Sequence, residues 1–299
     1  MENRKLLFIF NPKSGTGMIK NHLVEIVDLM VKAKYDVTIY TTQERADATR
    51  KVMEDGANYD RIICCGGDGT LDEVVTGIRN ADLKVELGYI PAGSTNDFAS
   101  SLGIPNDMIK ATKIALGKNV FPCDLGQFND DTFVYIAAFG LFTEISYETP
   151  QELKNVLGHL AYILSAVKSL TDIPNYIMQV EMDGKIIQDK FIYGMITNST
   201  SVGGFKGMTG KDVLLDDGEF EVTLIKSPAN IFELNEILGS LTNLIDNTDL
   251  IYSFKTDRLR IRSKQAIPWT LDGEYGGDHT MVDIQNLCKK VEFVTKKQK

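Results

Sequence analysis

Five consecutive residues, Gly66-Gly67-Asp68-Gly69-Thr70, constrain this chain more than any others. They stand between the apolar run Arg61-Ile62-Ile63-Cys64-Cys65 and the helix-like stretch Leu71-Asp72-Glu73-Val74-Val75-Thr76-Gly77-Ile78. That order predicts a strand running into a tight turn that opens a helix. Glycines let backbone amides approach an anion closely, and a helix N-terminus adds partial positive charge. Asp68 would repel a bare phosphate. It makes sense if it reaches a Mg²⁺ held by the phosphates, directly or through water. The plain alternative is a turn whose glycines only supply positive φ, with Asp68 as a helix cap.

Residues 1–120 repeat this strand-to-helix rhythm. Leu6-Leu7-Phe8-Ile9-Phe10 is a continuous apolar run, as in a strand buried on both faces. A helix follows, with Ile19, Leu23, Ile26, Val27 and Met30 at helical spacing. Val37 and Ile39 suit a second strand, Ala46 to Ala57 a second helix, and Leu87-Gly88-Tyr89-Ile90 a fourth strand. Ser94-Thr95-Asn96-Asp97 reads as a capping box opening a further helix. The alternation predicts an α/β fold with a doubly wound parallel-sheet N-terminal domain.

From residue 121 the texture changes. Short alternating strands are predicted at Thr132–Ala138, Tyr176–Met182, Lys190–Thr197, Glu219–Ile225 and Asp257–Arg262, with Asp183-Gly184 as a hairpin turn. Two helical segments, Gln151–Leu170 and Ala229–Leu244, interrupt them. Residues 121–288 are therefore expected to form a β-rich, sandwich-like C-terminal domain. The strand Val291–Val294, in the tail 289–299, could return to either domain.

Composition removes several classes. A net charge of −9 argues against a nucleic-acid partner, while leaving room for a local basic surface. The apolar stretches Phe133–Phe142 and Leu157–Val167 fall short of the roughly 20 residues a membrane-spanning helix needs. Met1-Glu2-Asn3-Arg4-Lys5 leads straight into a strand with no secretory pattern, so a cytoplasmic protein is expected. Cys64, Cys65, Cys123 and Cys288 lack metal-ligand spacing and read as reduced core thiols.

Two more loops match the first in kind. Asn11-Pro12-Lys13-Ser14-Gly15-Thr16-Gly17 follows the first strand, and Pro91-Ala92-Gly93-Ser94-Thr95-Asn96-Asp97-Phe98 follows the fourth. Neither is a dinucleotide fingerprint or a Walker loop. Ligands of open parallel sheets bind outside the carboxyl ends of the strands, so all three loops should converge. Convergence favours a nucleotide-phosphate site over three unrelated turns. Later in the chain stand Asp216-Asp217-Gly218-Glu219 and Leu271-Asp272-Gly273-Glu274. Each is a turn on the plain reading, though paired carboxylates can also serve base and metal roles.

Asn-Pro-x-Ser-Gly, Gly-Gly-Asp-Gly-Thr, Pro-x-Gly-Ser-x-Asn-Asp, Asp124-Leu125-Gly126 and Asp272-Gly273-Glu274 occur in one order along the chain. In that order they resemble the diacylglycerol kinase catalytic-domain superfamily, kin to sphingosine and ceramide kinases, over essentially the whole chain. The resemblance implies a nucleotide-binding domain over 1–120, which the tail 289–299 could join, and a lipid-substrate domain over 121–288. It implies ATP contacts at Asn11, Pro12, Lys13, Ser14 and Gly15, at Gly66, Gly67, Asp68, Gly69, Thr70, Leu71 and Asp72, and at Thr42 and Ser94. Asp68 and Asp124 would hold the catalytic Mg²⁺ through water. Asp272 would be the general base on the lipid hydroxyl, with Glu274 beside it. A structural Mg²⁺ would use the Asp217 carboxylate and the carbonyls of Leu214 and Glu219.

The resemblance therefore implies an ATP- and Mg²⁺-dependent lipid kinase, converting diacylglycerol to phosphatidic acid in peripheral contact with the inner face of the membrane. A homodimer is compatible with it. The alternatives are another lipid alcohol as acceptor, such as a sphingoid base or phosphatidylglycerol, and a nucleotide-binding regulator without turnover. Asp72 departs from the family's usual Asn and keeps the regulator open, while Ser94 for Thr keeps the hydroxyl. Arg258, Arg260, Arg262 and Lys264 fall on every second residue and share one strand face. A solvated face is the preferred reading there over a surface for anionic lipid. Leu153, Leu157, Leu160, Ala161, Leu164 and Val167 lie at helical spacing and read as core, with His159 as a packed histidine.

Overall fold

A computed structural model describes residues 4–15, 17–141, 164, 173–199, 201–202, 205–206, 213–241 and 248–296. Most of the expected helix over 151–170, His159 and the end of the helix expected to reach 244 lie outside the described residues. The fold is mixed α/β with strands dominating, and its C-terminal region is rich in sheet. The chain divides into two compact units, residues 1–125 with 288–299, and residues 126–287.

The first unit is built from β1 (Arg4–Phe10), α1 (Ile19–Lys32), β2 (Tyr35–Thr41), α2 (Asp47–Asp55), β3 (Arg61–Gly66), α3 (Asp68–Asn80), β4 (Glu86–Pro91), α4 (Asp97–Ser101) and α5 (Met108–Ala115). β1 pairs in parallel with β2 and with β3, setting Phe8 opposite both Ile39 and Ile63, and β4 extends the parallel set beside β3. Leu6 to Ile9 and Ile62 to Cys65 are wholly buried, which is why both segments read as unbroken apolar runs. Helices cover the sheet in pairs, α2 against α3 and α1 against α5.

Arg61 opens β3 and is also buried. It donates from Nε to Glu86 at 2.9 Å and from Nη1 to the Ala115 carbonyl at 2.8 Å, so its charge stays paired. Burial pushes the Cys65 thiol up to about 12 and raises Cys64 as well, fitting inert core cysteines. Cys288 differs from the expectation and is exposed. It lies in the long strand β15 (Glu274–Val294), whose end pairs in parallel with β4 through Glu292 and Phe293. The tail strand left open by the sequence thus belongs to the first unit.

The second unit takes the rest of β5 (Val120–Phe128), then β6 (Asp131–Phe133), β7 (Ile136–Gly140), β8 (Tyr176–Met182), β9 (Lys185–Thr197), the small pair β10 (Ser201–Val202) and β11 (Phe205–Lys206), β12 (Phe220–Lys226), α6 (Ile231–Leu241), β13 (Ile251–Thr256), β14 (Arg258–Leu271) and most of β15. The strands run in the order β13-β12-β9, then β14-β15, with β7 and β8 sharing the lane between β9 and β14. β8 fills the lane beside Lys185 to Phe191, and β7 fills it beside Tyr193 to Thr197. Trp269 sits at the centre of the core, edge-on to Phe128 and Phe139 with ring centroids 5.0 and 4.8 Å away.

The lane changes hands at Ile192, and Gly140 makes that possible. Its φ is +95°, and a Cβ there would lie 2.2 Å from the Ile192 carbonyl oxygen. Gly184 also has positive φ, at +72°, but nothing lies within 4 Å of a Cβ built on it. Gly140→Ala should therefore cost clearly more stability than Gly184→Ala, which should lose about 1 kcal/mol from backbone strain alone. Denaturant unfolding of both variants checks the order, and equal losses would count against it.

Candidate functional site

In the first unit the three glycine loops meet. Gly15 has φ +52°, and a Cβ on it would fall 2.4 Å from the Ala92 carbonyl oxygen. A Cβ on Gly93 would fall 2.7 Å from the Gly67 Cα. The Gly67 amide donates to Ser14 Oγ at 3.3 Å, and Asn11 Nδ2 reaches Thr70 Oγ1 at 3.4 Å. Asn11 Oδ1 accepts from the Lys13 amide at 2.9 Å, closing the first loop on itself. Thr42 is buried, and its amide donates to the Phe10 carbonyl. Lys13 and Ser94 are exposed, and Pro12 is half-buried.

Asp68 is the first residue of α3, and its side chain does not cap that helix. Oδ2 instead accepts the Asp97 amide at 3.3 Å, at the start of α4. Oδ1 is buried with no partner among the described residues. Burial, and then the Asp97 carboxylate nearby, push the Asp68 carboxyl up to about 6. A buried oxygen without a donor, beside a second carboxylate, suits a hard divalent cation carried in with phosphate. Asp72 follows one turn along α3, half-buried on the same helix face.

The expected capping box is not what opens α4. Asn96 stands at its N-cap in a left-handed conformation, and its side chain is spent on the loop. Oδ1 accepts from the Gly93 amide and Nδ2 donates to the Gly93 carbonyl, both at 2.9 Å. Two other residues were given no part in the site by the sequence. Asp97 is the neighbour that raises Asp68. Glu73 on α3 accepts the amides of Ala46 and Ala48 at 2.8 and 3.1 Å, pinning the entry to α2. Only the spacing of Glu73 within the helix after Asp68 could have flagged it.

Asp124 is buried in the first unit, where Oδ1 accepts the Lys289 amide at 2.7 Å. Lys289 has φ +53°, so the carboxylate holds a left-handed kink in β15. Asp272 and Glu274 belong to the second unit. Asp272-Gly273 forms the two-residue turn joining β14 to β15, with φ +50° and +85°. The Asp272 carboxylate is buried and accepts the amides of Val134 at 2.6 Å and of Tyr135 and Ile136 at 3.0 Å each. Glu274 is exposed.

The structural Mg²⁺ set fits less well. Leu214 is exposed, and Asp217 Oδ1 accepts the Glu219 amide at 3.1 Å. Asp217 Oδ2 lies 3.0 Å from the Lys255 ammonium, which is also 3.1 Å from Glu221 Oε1. Lys255 and Glu221 are direct cross-strand partners on β13 and β12. The one carboxylate of the expected set thus already faces a tethered cation. A divalent ion would have to share the carboxylate with that ammonium.

Glycine loops at the ends of parallel strands, gathered beside a buried carboxylate, can hold a phosphate chain. Known proteins agree in class. A profile described as the diacylglycerol kinase catalytic domain matches residues 5–128. A protein named diacylglycerol kinase from Bacillus subtilis (strain 168) is 35% identical over 99% of this chain and 98% of its own. Another of that name from Staphylococcus carnosus (strain TM300) is 34% identical over 98% of this chain and 96% of its own. A crystal structure described as a diacylglycerol kinase from Bacillus anthracis str. Sterne is 25% identical with a TM-score of 0.76, covering 99% of this chain and 98% of that one. A second crystal structure from that strain gives a TM-score of 0.84 at 25% identity over 99% of each chain. The chain belongs to the diacylglycerol kinase catalytic domain family.

Asp272→Asn should cost about 2 to 3 kcal/mol, because an amide cannot replace a carboxylate that accepts three backbone N–H groups. Asp183→Asn, in the exposed Asp-Gly turn between β8 and β9, should stay within about 0.5 kcal/mol of the parent. Urea unfolding of both tests the contrast. Without nucleotide, Mg²⁺ should leave the parent's melting temperature unchanged. Lys255→Met should melt lower and regain part of the loss with Mg²⁺. The same Mg²⁺ response in both proteins would count against the tethered cation.

Proposed function

We propose that this chain is an ATP- and Mg²⁺-dependent lipid kinase that phosphorylates diacylglycerol to phosphatidic acid. The carrying observation is the meeting of three strand-to-helix loops beside Asp68, in a chain whose relatives along their whole length bear the name diacylglycerol kinase. In this reading residues 1–120 are a doubly wound nucleotide-binding domain and 121–288 a sandwich-like lipid-substrate domain. Asn11 to Gly15 and Gly66 to Asp72, with Thr42 and the Ser94 hydroxyl, position the triphosphate. In this reading the lipid is met by peripheral contact, and among the described residues no helix is long and apolar enough to cross a membrane.

Transfer is in line. The lipid hydroxyl oxygen attacks the γ-phosphorus, the bond to the β,γ-bridging oxygen breaks, and ADP leaves. Asp272 takes the hydroxyl proton, held in orientation by its three amides, with Glu274 beside it. Asp68 and Asp124 would hold the Mg²⁺ through water. Mg²⁺ bound with the nucleotide supplies neutralisation of the charge on the β- and γ-phosphates.

Incubating the pure protein with labelled ATP, Mg²⁺ and a panel of lipid alcohols should label diacylglycerol in preference to sphingoid bases and phosphatidylglycerol. Asp68→Ala should lower that turnover by about 10²-fold or more while shifting the melting temperature little. Loss of stability in proportion to loss of activity would return Asp68 to a structural role.

A further inference from the structure

The stripe of alternating basic residues on β14 changes meaning once its neighbours are placed. Arg258 and Arg260 share the Asp283 carboxylate, with nitrogen–oxygen distances of 2.9 and 2.5 Å. Arg262 lies a looser 3.8 Å from Glu181, and Lys264 follows two residues on. Register across the four strands β9, β8, β14 and β15 puts Gln188, Gln179, Arg262 and Met281 in one outward row. The next row toward Lys264 sets Lys190 opposite Ile177. The row on the other side carries Ile186, Glu181, Arg260 and Asp283.

Three large aliphatic side chains on this face stand in solvent: Ile177 is 54% exposed, Ile186 59% and Met281 57%. They alternate with Arg262, Lys264 and Lys190, which keep the face locally positive on a chain of net charge −9. A concavity of about 480 Å³ opens between Ile177, Gln179, Gln188, Arg262 and Lys264. Cations among exposed aliphatics match an interface where phosphates lie above acyl chains. A nucleic acid would meet the cations and leave the aliphatics idle.

The geometry points to the outward face of β9, β8, β14 and β15, around Ile177, Ile186, Met281, Arg262 and Lys264, as the surface that docks on an anionic lipid bilayer. The choice of partner rests on the lipid-kinase reading. The aliphatics enter the headgroup layer and the cations meet lipid phosphates. Arg258 and Arg260 contribute less, because Asp283 already neutralises part of their charge.

Flotation of the full chain with phosphatidylglycerol–phosphatidylcholine vesicles lacking diacylglycerol tests this. The parent should bind, and rising salt should weaken the binding. Arg262→Gln with Lys264→Gln should bind roughly 10- to 30-fold more weakly. Ile177→Ser with Ile186→Ser should bind roughly tenfold more weakly. Both double variants should keep the parent's melting temperature and its turnover of short-chain diacylglycerol dissolved as monomers. Parent-like vesicle binding in either variant overturns the proposal, as does equal loss of activity on the dissolved substrate. Face-dependent binding by a parent that turns over no dissolved diacylglycerol supports the surface and overturns the kinase reading instead.

Discussion

Backbone touches backbone where Gly15, Gly67 and Gly93 approach one another, and the first unit's loop cluster depends on that contact. Gly15 and Gly93 lack room for a Cβ and Gly67 has little to spare, so three loops from separate strands pack nearly as closely as bare peptide allows. Lys13, Gly15 and Ser94 are exposed on the surface of the cluster. The close packing also draws α3 and α4 together, so that Asp68 accepts an amide from the second helix rather than from its own. A bulkier loop residue would separate the helices and remove the carboxylate from its buried position. Glu73 and Asn96 hold the surroundings by carboxylate- or amide-to-backbone bonds, which fix loops that have no apolar core of their own.

The second unit repeats one local device with different consequences. Asp183-Gly184 and Asp272-Gly273 are both two-residue turns with positive φ at each position. Asp183 points into solvent and does no more than turn the chain. Asp272 is buried, and the segment Val134 to Ile136 closes three amides around it. Charged acceptors with several donors are costly to break, so this turn is fixed far more firmly than the other. A rigid carboxylate suits a proton acceptor that must meet a substrate hydroxyl in one geometry. The Asp217 turn is held differently again, by the Lys255 ammonium shared with Glu221.

Charge on this acidic chain is placed by pairing. Arg61 is buried only because Glu86 and the Ala115 carbonyl receive it. Asp283 takes Arg258 and Arg260 together, which halves the basic stripe visible in the sequence. The remaining cations gain their chemical character from neighbours on other strands. Exposed Ile177, Ile186 and Met281 come from three different strands, β8, β9 and β15. An alternating pattern within β14 has no means of showing them.

The sequence by itself determined the elements whose information is local. Apolar runs marked β1 and β3, glycine turns marked the three loops, and the Asp183-Gly184 pair marked the β8–β9 hairpin turn, because steric limits on φ and burial on two faces act within a few residues. Five ordered motifs carried the family. Only the tertiary structure decided what distant residues do to one another. The long β14–β15 hairpin was hidden, since only its ends, Asp257–Arg262 and Val291–Val294, carried a local strand pattern. The roles of Asp97 and Glu73, the failure of the Ser94 capping box, and the cation on Asp217 all arise from partners far along the chain. Hydrogen bonds and ion pairs between distant segments leave no period in the sequence, so their partners become legible only when the chain has folded.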